Sequence, residues 1–256
     1  MKPMIAFSKK EYMEQIRTGK LTVLMILAFL FGIMNPAIAK LTPWLMDMVS
    51  ENMENSGLTV VEVAVNDLVS WTQYYKNIPM FLVIFIIFFS GILANEYQHG
   101  TLINMLTKGL SRVTVLAAKF ISIFVLWTLS YWMIYLITYA YNEYFWQNAT
   151  TINLFLGGLC YYLFGLLMIS MLMLGSILTK NNTGAILFTG GVYVVFLIAK
   201  LFTKLESYNP IKLCDGTSLI TGSLIPADYI KSIIVMSIIF LLACILGVIC
   251  FNKKQL

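Results

Sequence analysis

Along the chain, apolar residues gather into runs far longer than a core strand or a one-sided helical stripe requires, and the polar residues gather between them. A helix needs about 20 predominantly apolar residues to cross the hydrocarbon of a bilayer, because an unpaired backbone amide in lipid costs several kcal/mol. Six runs meet that demand, at about 21–39, 78–94, 113–140, 153–178, 184–201 and 230–251. The pattern predicts an all-α membrane protein, a single domain over 1–256 with six transmembrane helices. The third run is the longest and is expected to tilt or to project beyond the bilayer.

The segments between the runs carry patterns of their own. Ile5, Tyr12 and Ile16 share one helical face and Lys10 and Arg17 another, which predicts an interfacial helix over 1–20, its cations toward anionic lipid. Within 40–77, Leu58, Val61, Val65 and Leu68 recur at helical spacing and predict a short amphipathic helix. Segment 202–229 is broken by Pro210, Gly216, Gly222 and Pro226, with Leu219, Ile220, Leu224 and Ile225 between the breaks. Too apolar for a free loop and too interrupted for a span, it predicts a broken re-entrant hairpin between spans five and six. In 95–112, Leu102, Met105 and Leu106 give a short helix one apolar stripe. Gly109 suits the end of that helix and Ser111 the start of span three, while Glu96 and Lys108 complement its dipole.

Composition narrows the function classes. With 59% apolar and 11% charged residues and a mean hydropathy of +0.83, the chain has too little charge for a soluble domain, which carries roughly 25%. It is equally unlike a disordered chain. The net charge of +5 is not a nucleic-acid footprint, because in a membrane chain the side on which Lys and Arg lie is what matters. Cys160, Cys214, Cys244 and Cys250 show no pairing motif and read as small apolar filler. The first twenty residues are basic and lack an apolar signal core, so the first run is expected to remain as a span.

Six spans put both termini on one side. That side holds eleven Lys and Arg, among them Lys9, Lys10, Arg17, Lys108, Arg112, Lys119, Lys180 and Lys254, against six opposite. The bias predicts a multi-pass cell-membrane protein with both termini cytoplasmic, 95–112 inside, and 40–77 and 202–229 outside. Trp71, Tyr74 and Tyr75 before span two, and Tyr139, Tyr141, Tyr144, Phe145 and Trp146 at the end of span three, read as interfacial aromatic belts.

No Gly-x-x-x-x-Gly-Lys-Ser/Thr loop occurs, so the chain lacks the usual cradle for ATP phosphates and no bound cofactor is expected on it. His99 is the only histidine, which rules out a His-Glu-x-x-His metal site or a Ser-His relay, and no catalytic residue is assigned. The spans are expected to hold no buried ion pair or acid–base chain, which speaks against coupling to an ion gradient. Their polar residues are mild: Asn35 beside Pro36, and Thr128, Tyr131, Tyr135 and Thr138 along one face of span three. These are candidate cavity-lining residues, with interhelical hydrogen bonding as the competing role.

The order Glu96, Gly100, Thr101, Leu102, Leu106, Ser111, Arg112 and Lys119 resembles the segment between the second and third helices of type-2 ATP-binding-cassette (ABC) permeases. Asn209 and Pro210 ahead of the outer hairpin resemble a recurrent element of that family, and the six-span architecture resembles it over the whole chain. The resemblance implies that 95–112 is a coupling helix docking on a separate cytoplasmic ABC ATPase, with Glu96, His99, Gly100, Thr101, Leu102, Met105, Leu106 and Arg112 as candidate coupling residues. It also implies ATP and Mg bound by that partner, and a second permease, either an identical copy or a paralogue. Asn209, Pro210, Leu219, Ile220, Leu224 and Ile225 become candidates for an outer gate. Small Gram-positive exporters of amphipathic toxins, bacteriocins or antimicrobials are the most similar branch. The implied function is export of an amphipathic or hydrophobic cargo through a dimer embedded in membrane lipid. The alternatives are a non-transporting immunity or scaffold protein, which would bind no ATPase, and a gradient-driven secondary transporter, which would need ionisable groups at membrane depth.

Overall fold

Polar caps set several of the helix boundaries in the computed structural model, which describes residues 2–54, 65–102, 107, 109 and 111–254. Helix α1 (Lys2–Arg17) is followed by α2 (Lys20–Glu54), α3 (Asp67–Phe89), α4 (Gly91–Gln98), α5 (Arg112–Trp146), α6 (Leu154–Thr179) and α7 (Asn182–Lys200). Then come the short α8 (Thr203–Glu206), a 3-10 turn (Pro210–Cys214), α9 (Gly216–Ile220) and finally α10 (Ala227–Lys253). Asn66 accepts from the Val69 amide at 3.1 Å to open α3, and Asn181 from the Thr183 amide at 3.2 Å to open α7. Ser111 opens α5, as its position predicts, accepting from the Thr114 amide at 3.2 Å. Six helices are long and apolar enough to cross a membrane, and no strand occurs among the described residues.

Span one differs most from its predicted extent. Helix α2 continues through Pro36 and Pro43 to Glu54, well past the expected end at residue 39. A proline inside a helix leaves the carbonyl four residues earlier without its amide. For Pro36 that carbonyl belongs to Gly32, and the Thr138 hydroxyl on α5 donates to it at 3.0 Å. Leu58 and Val61 of the expected outer amphipathic helix lie outside the described residues; Val65 is irregular and Leu68 sits in the first turn of α3. Span two is α3 and α4 with a break at Ser90, whose hydroxyl turns back to the Ile87 carbonyl at 2.9 Å.

Helix α6 is the axis of the bundle. Its apolar window is 83% buried, against 11% for α7 and 17% for α10. Helices α2, α3 and α5 pack together on one side of it, and α7 and α10 flank it on the other. Glycines on α6 let aromatic side chains approach its backbone: Gly157 faces the Tyr75 hydroxyl, Gly158 the Tyr135 ring and Gly165 the Trp127 ring.

That packing overturns the reading of Trp71, Tyr74 and Tyr75 as an interfacial belt. All three are buried, and Trp71 and Tyr74 both meet the Tyr135 ring, at 5.2 and 6.1 Å between centroids. Tyr139, Tyr141, Tyr144 and Phe145 are exposed, as a belt requires. Asp67, at the start of α3, holds the turn between α5 and α6. Its carboxylate accepts from the Thr150 amide and the Thr151 amide, each at 3.1 Å, from the Thr151 hydroxyl at 2.8 Å and from the Thr150 hydroxyl.

Candidate coupling site

The segment leaving span two is drawn into the protein by a buried ion cluster. Lys119, in the second turn of α5, places its ammonium 3.0 Å from Glu96 on α4 and 3.0 Å from Glu11 on α1. The Lys119 and Glu11 side chains are each 2% exposed and Glu96 is 11% exposed. The expectation of spans without a buried ion pair therefore fails at this end of span three. The partner comes from α1, which reads as an interfacial helix in the sequence but whose Glu11 and Gln15 are buried against the bundle. Tyr12 and Ile16 of the predicted apolar face are exposed, as contact with a headgroup region requires, and the Ile5 side chain lies outside the described residues. Lys10 extends the cluster outward, 3.2 Å from Glu14 and 3.5 Å from Glu11. Partial burial disfavours its charge, but Glu11 and Glu14 more than offset this, so the Lys10 pKa is raised.

The rest of the segment is tied on several sides. The Thr101 hydroxyl donates to the Glu96 carboxylate. Gly100, at φ 65°, supplies the left-handed residue that turns the chain between them. His99, exposed, bonds through Nδ1 to the Asn95 carbonyl at 2.7 Å. Asn182 donates to Asn95 at 2.8 Å and Gln98 to Asn181 at 3.5 Å, fastening the segment to the turn between α6 and α7. The Tyr97 ring meets Phe251 of α10 edge-on at 6.1 Å. Leu102 is 1% exposed and belongs to the core, so this part of the predicted stripe is covered by the chain itself. Met105 and Leu106 lie outside the described residues, and Thr107 is exposed. Arg112 turns toward α10, donating from Nη1 to the carbonyls of Phe251 at 3.1 Å, Asn252 at 3.0 Å and Lys254 at 2.6 Å. Of these features Glu96, His99, Gly100, Thr101, Leu102 and Arg112 are candidates from sequence and Lys119 belongs to the same pattern, whereas Glu11, Asn95, Asn181 and Asn182 carry no local signal.

The polar residues of the spans are brought together by hydrogen bonds. Asn77 donates to Asn35 at 3.0 Å, Asn35 to Thr138 at 3.1 Å, and Thr138 to the Gly32 carbonyl, joining α3, α2 and α5. Thr128 bonds to the Tyr162 hydroxyl at 2.8 Å, and the Tyr131 hydroxyl donates to the Gly158 carbonyl at 2.5 Å. Tyr135 is buried among rings. At the other end of the bundle, Asn209 opens the 3-10 turn ahead of Pro210 by accepting from the Ile211 amide at 3.1 Å, and anchors it by donating to the Phe196 carbonyl at 2.7 Å. Leu219 and Ile220 are fully buried, Leu224 is half-buried, and Ile225 is exposed. An apolar groove of about 220 Å³ lies between α3, α6 and α7; Pro79, Val83, Ile86, Phe164, Met168 and Gly190 help to line it, and no charged side chain does.

Comparison with known proteins follows this geometry. No curated protein matches the chain. The family model described as ABC-2 family transporter protein matches residues 5–256, nearly the whole length and all six spans. This multi-pass membrane chain belongs to the ABC-2 transporter family.

Proposed function

We propose that the chain is one permease subunit of an ATP-driven exporter that carries an amphipathic or hydrophobic cargo, such as a peptide toxin, a bacteriocin, an antimicrobial or a lipid-like molecule, out of the cell. ABC-2 permeases generally pair with ABC ATPases, and residues 5–256 match the membrane family, with no phosphate-binding Gly-Lys-Ser/Thr loop in the 256-residue sequence. Under this reading the ATPase docks on the cytoplasmic side around 95–112, binds ATP and Mg there, and drives two permeases, identical or paralogous, against each other. The observation that carries the reading is the anchoring of Glu96: a push on this segment reaches α5 and α1 through Lys119, and α7 through Asn181 and Asn182. Support for an apolar cargo comes from the uncharged groove between α3, α6 and α7. The orientation with both termini in the cytoplasm rests on the positive-inside bias.

The test is co-purification with a co-expressed ABC ATPase from the same source. Wild type retains the ATPase, and His99→Asp combined with Thr107→Asp, two exposed positions, releases it while the permease stays monodisperse. Leu102→Asp is unsuitable, because it would place a charge in the core. Failure of the wild type to retain any ABC ATPase would favour the scaffold or immunity reading. Stimulation of ATP hydrolysis by amphipathic peptides, against none by polar solutes, tests the cargo class.

A further inference from the structure

At the end of the bundle away from the coupling segment, α7 closes and the chain runs through α8, the 3-10 turn and α9 before α10 begins. A small cleft of about 80 Å³ opens in this stretch, lined by residues including Lys200, Glu206, Asn209, Lys212, Asp215 and Leu224. Two ammonium groups and two carboxylates therefore line one space. Among the described residues none of the four is in a salt bridge. Both signs of charge are brought to the cleft and held apart, so both remain available to a guest.

The walls are set by the protein itself. Asp215 caps α9, one oxygen accepting from the Ser218 amide at 3.2 Å and the other from the Ser218 hydroxyl at 2.7 Å. Each oxygen keeps a lone pair for a further donor. The Lys212 ammonium rests over the Tyr229 ring of α10, 5.5 Å from its centroid, and the Tyr229 hydroxyl donates to the Asp215 carbonyl at 2.6 Å. Buried Asn209 ties the 3-10 turn to α7 through the Phe196 carbonyl. Lys200 ends α7 and Glu206 ends α8, and neither side chain makes a hydrogen bond among the described residues. Leu201, Phe202 and Leu205 stand exposed beside them, large apolar side chains just past the end of a span. The cleft thus lies at the level where headgroups meet acyl chains.

We propose that this cleft binds the zwitterionic headgroup of an ethanolamine-type phospholipid, the phosphate against Lys200 and Lys212 and the primary ammonium against Glu206 and Asp215. The acyl chains would run along Leu201, Phe202 and Leu205. Charge-assisted hydrogen bonds to both ends of the headgroup match the two signs on the walls. A purely anionic lipid would satisfy the lysines and set its charge beside two carboxylates. A choline headgroup carries a quaternary ammonium, which has no N–H to donate and favours aromatic faces, and the Tyr229 ring already carries Lys212. A metal ion fits poorly: no three His, Cys, Asp or Glu side chains gather as a metal site among the described residues, and two lysines stand against a cation. In the cell the lipid comes from the outer leaflet, a detail that rests on the proposed orientation; the binding chemistry does not.

The test is zero-length carbodiimide coupling, which joins a carboxylate to an amine only where the two are in contact. It is applied to the intact permease in vesicles of phosphatidylethanolamine titrated into phosphatidylcholine, which has no amine to couple, and read by peptide mass mapping. Wild type is expected to acquire phosphatidylethanolamine on Glu206 or Asp215 well before Glu143, an exposed carboxylate at the same end of the bundle. Lys200→Gln with Lys212→Gln should raise the phosphatidylethanolamine fraction needed for half-maximal coupling roughly twentyfold, each ammonium near a headgroup phosphate being worth about a factor of five. Coupling at Glu143 should not move. Yields at Glu206 and Asp215 no greater than at Glu143, or yields indifferent to the loss of both lysines, overturn the proposal. Suppression of the adduct by millimolar soluble phosphoethanolamine would overturn the lipid as the source and assign the cleft to the free zwitterion. If the double variant fails to fold, the comparison with Glu143 in wild type decides alone. None of these readouts involves an ATPase or transport, so their failure leaves the transporter reading standing, and the reverse.

Discussion

Lys119 and Glu11 lie 108 residues apart in the chain and 3.0 Å apart in the structure, both shielded from solvent. Under the proposed docking of an ATPase on 95–112, the contact would make the N-terminal helix part of the load path rather than a tether, because the same ammonium also holds Glu96 at the exit from span two. One lysine between two carboxylates leaves the cluster one negative charge in excess, partly balanced by Lys10 at its edge.

Removal of the shared cation is expected to be the most damaging single change at this face. Lys119→Met leaves two carboxylates without their partner and should cost about 3–5 kcal/mol. Glu11→Gln, which leaves the Lys119–Glu96 pair intact, should cost less. Thermal unfolding in detergent of the two variants checks the order, and an equal loss would mean that α1 and α4 are held independently of the ammonium.

At Pro36, Thr138→Val removes the donor to the Gly32 carbonyl and the acceptor for Asn35 while keeping the side-chain shape. A loss of about 1 kcal/mol is expected, with Thr138→Ser near wild type. Equilibrium unfolding in mixed micelles measures both, and a Ser variant as weak as Val would assign the effect to packing instead.

Two glycines in adjacent spans should answer oppositely to the same methyl group. Gly165→Ala drives a Cβ into the Trp127 ring and should lower stability by about 1–3 kcal/mol, whereas Gly191 has no atom within 4 Å of that position and should tolerate Ala. Melting temperatures of the two variants decide the matter.

Asp67→Ala strips four donors of Thr150 and Thr151 of their acceptor, and should destabilise by roughly 1.5–3 kcal/mol. The disturbance is expected in the turn between α5 and α6, read as faster proteolysis within 147–153. Unchanged cleavage there would show that the turn is held by other contacts, such as the Trp71 indole bonded to Asn148 at 3.0 Å.

The spans were legible because lipid demands long apolar runs, and Ser111 because a hydroxyl one residue ahead of a helix has a defined local partner. The extent of span one was not, since the residue that satisfies the carbonyl freed by Pro36, Thr138, stands 106 positions from the carbonyl it serves. Trp71, Tyr74 and Tyr75 were misplaced for a similar reason: an aromatic near a span end looks the same whether it meets headgroups or a glycine on another helix. At the candidate coupling site, Glu96 could be picked out by its setting, but the acid and amides that complete its surroundings come from elements distant in sequence and have no spacing to betray them.

Arg112 carries a consequence for how the protein is made. A nascent chain emerges from its N-terminal end, so span three enters the membrane well before residues 251–254 exist. Until those residues arrive, the guanidinium at the head of α5 lacks the three carbonyls that fix it, and the face on which the ATPase is proposed to dock is unfinished. A stalled or truncated translation product would therefore present an incomplete surface to its motor, and assembly would be reserved for chains whose last helix has been delivered.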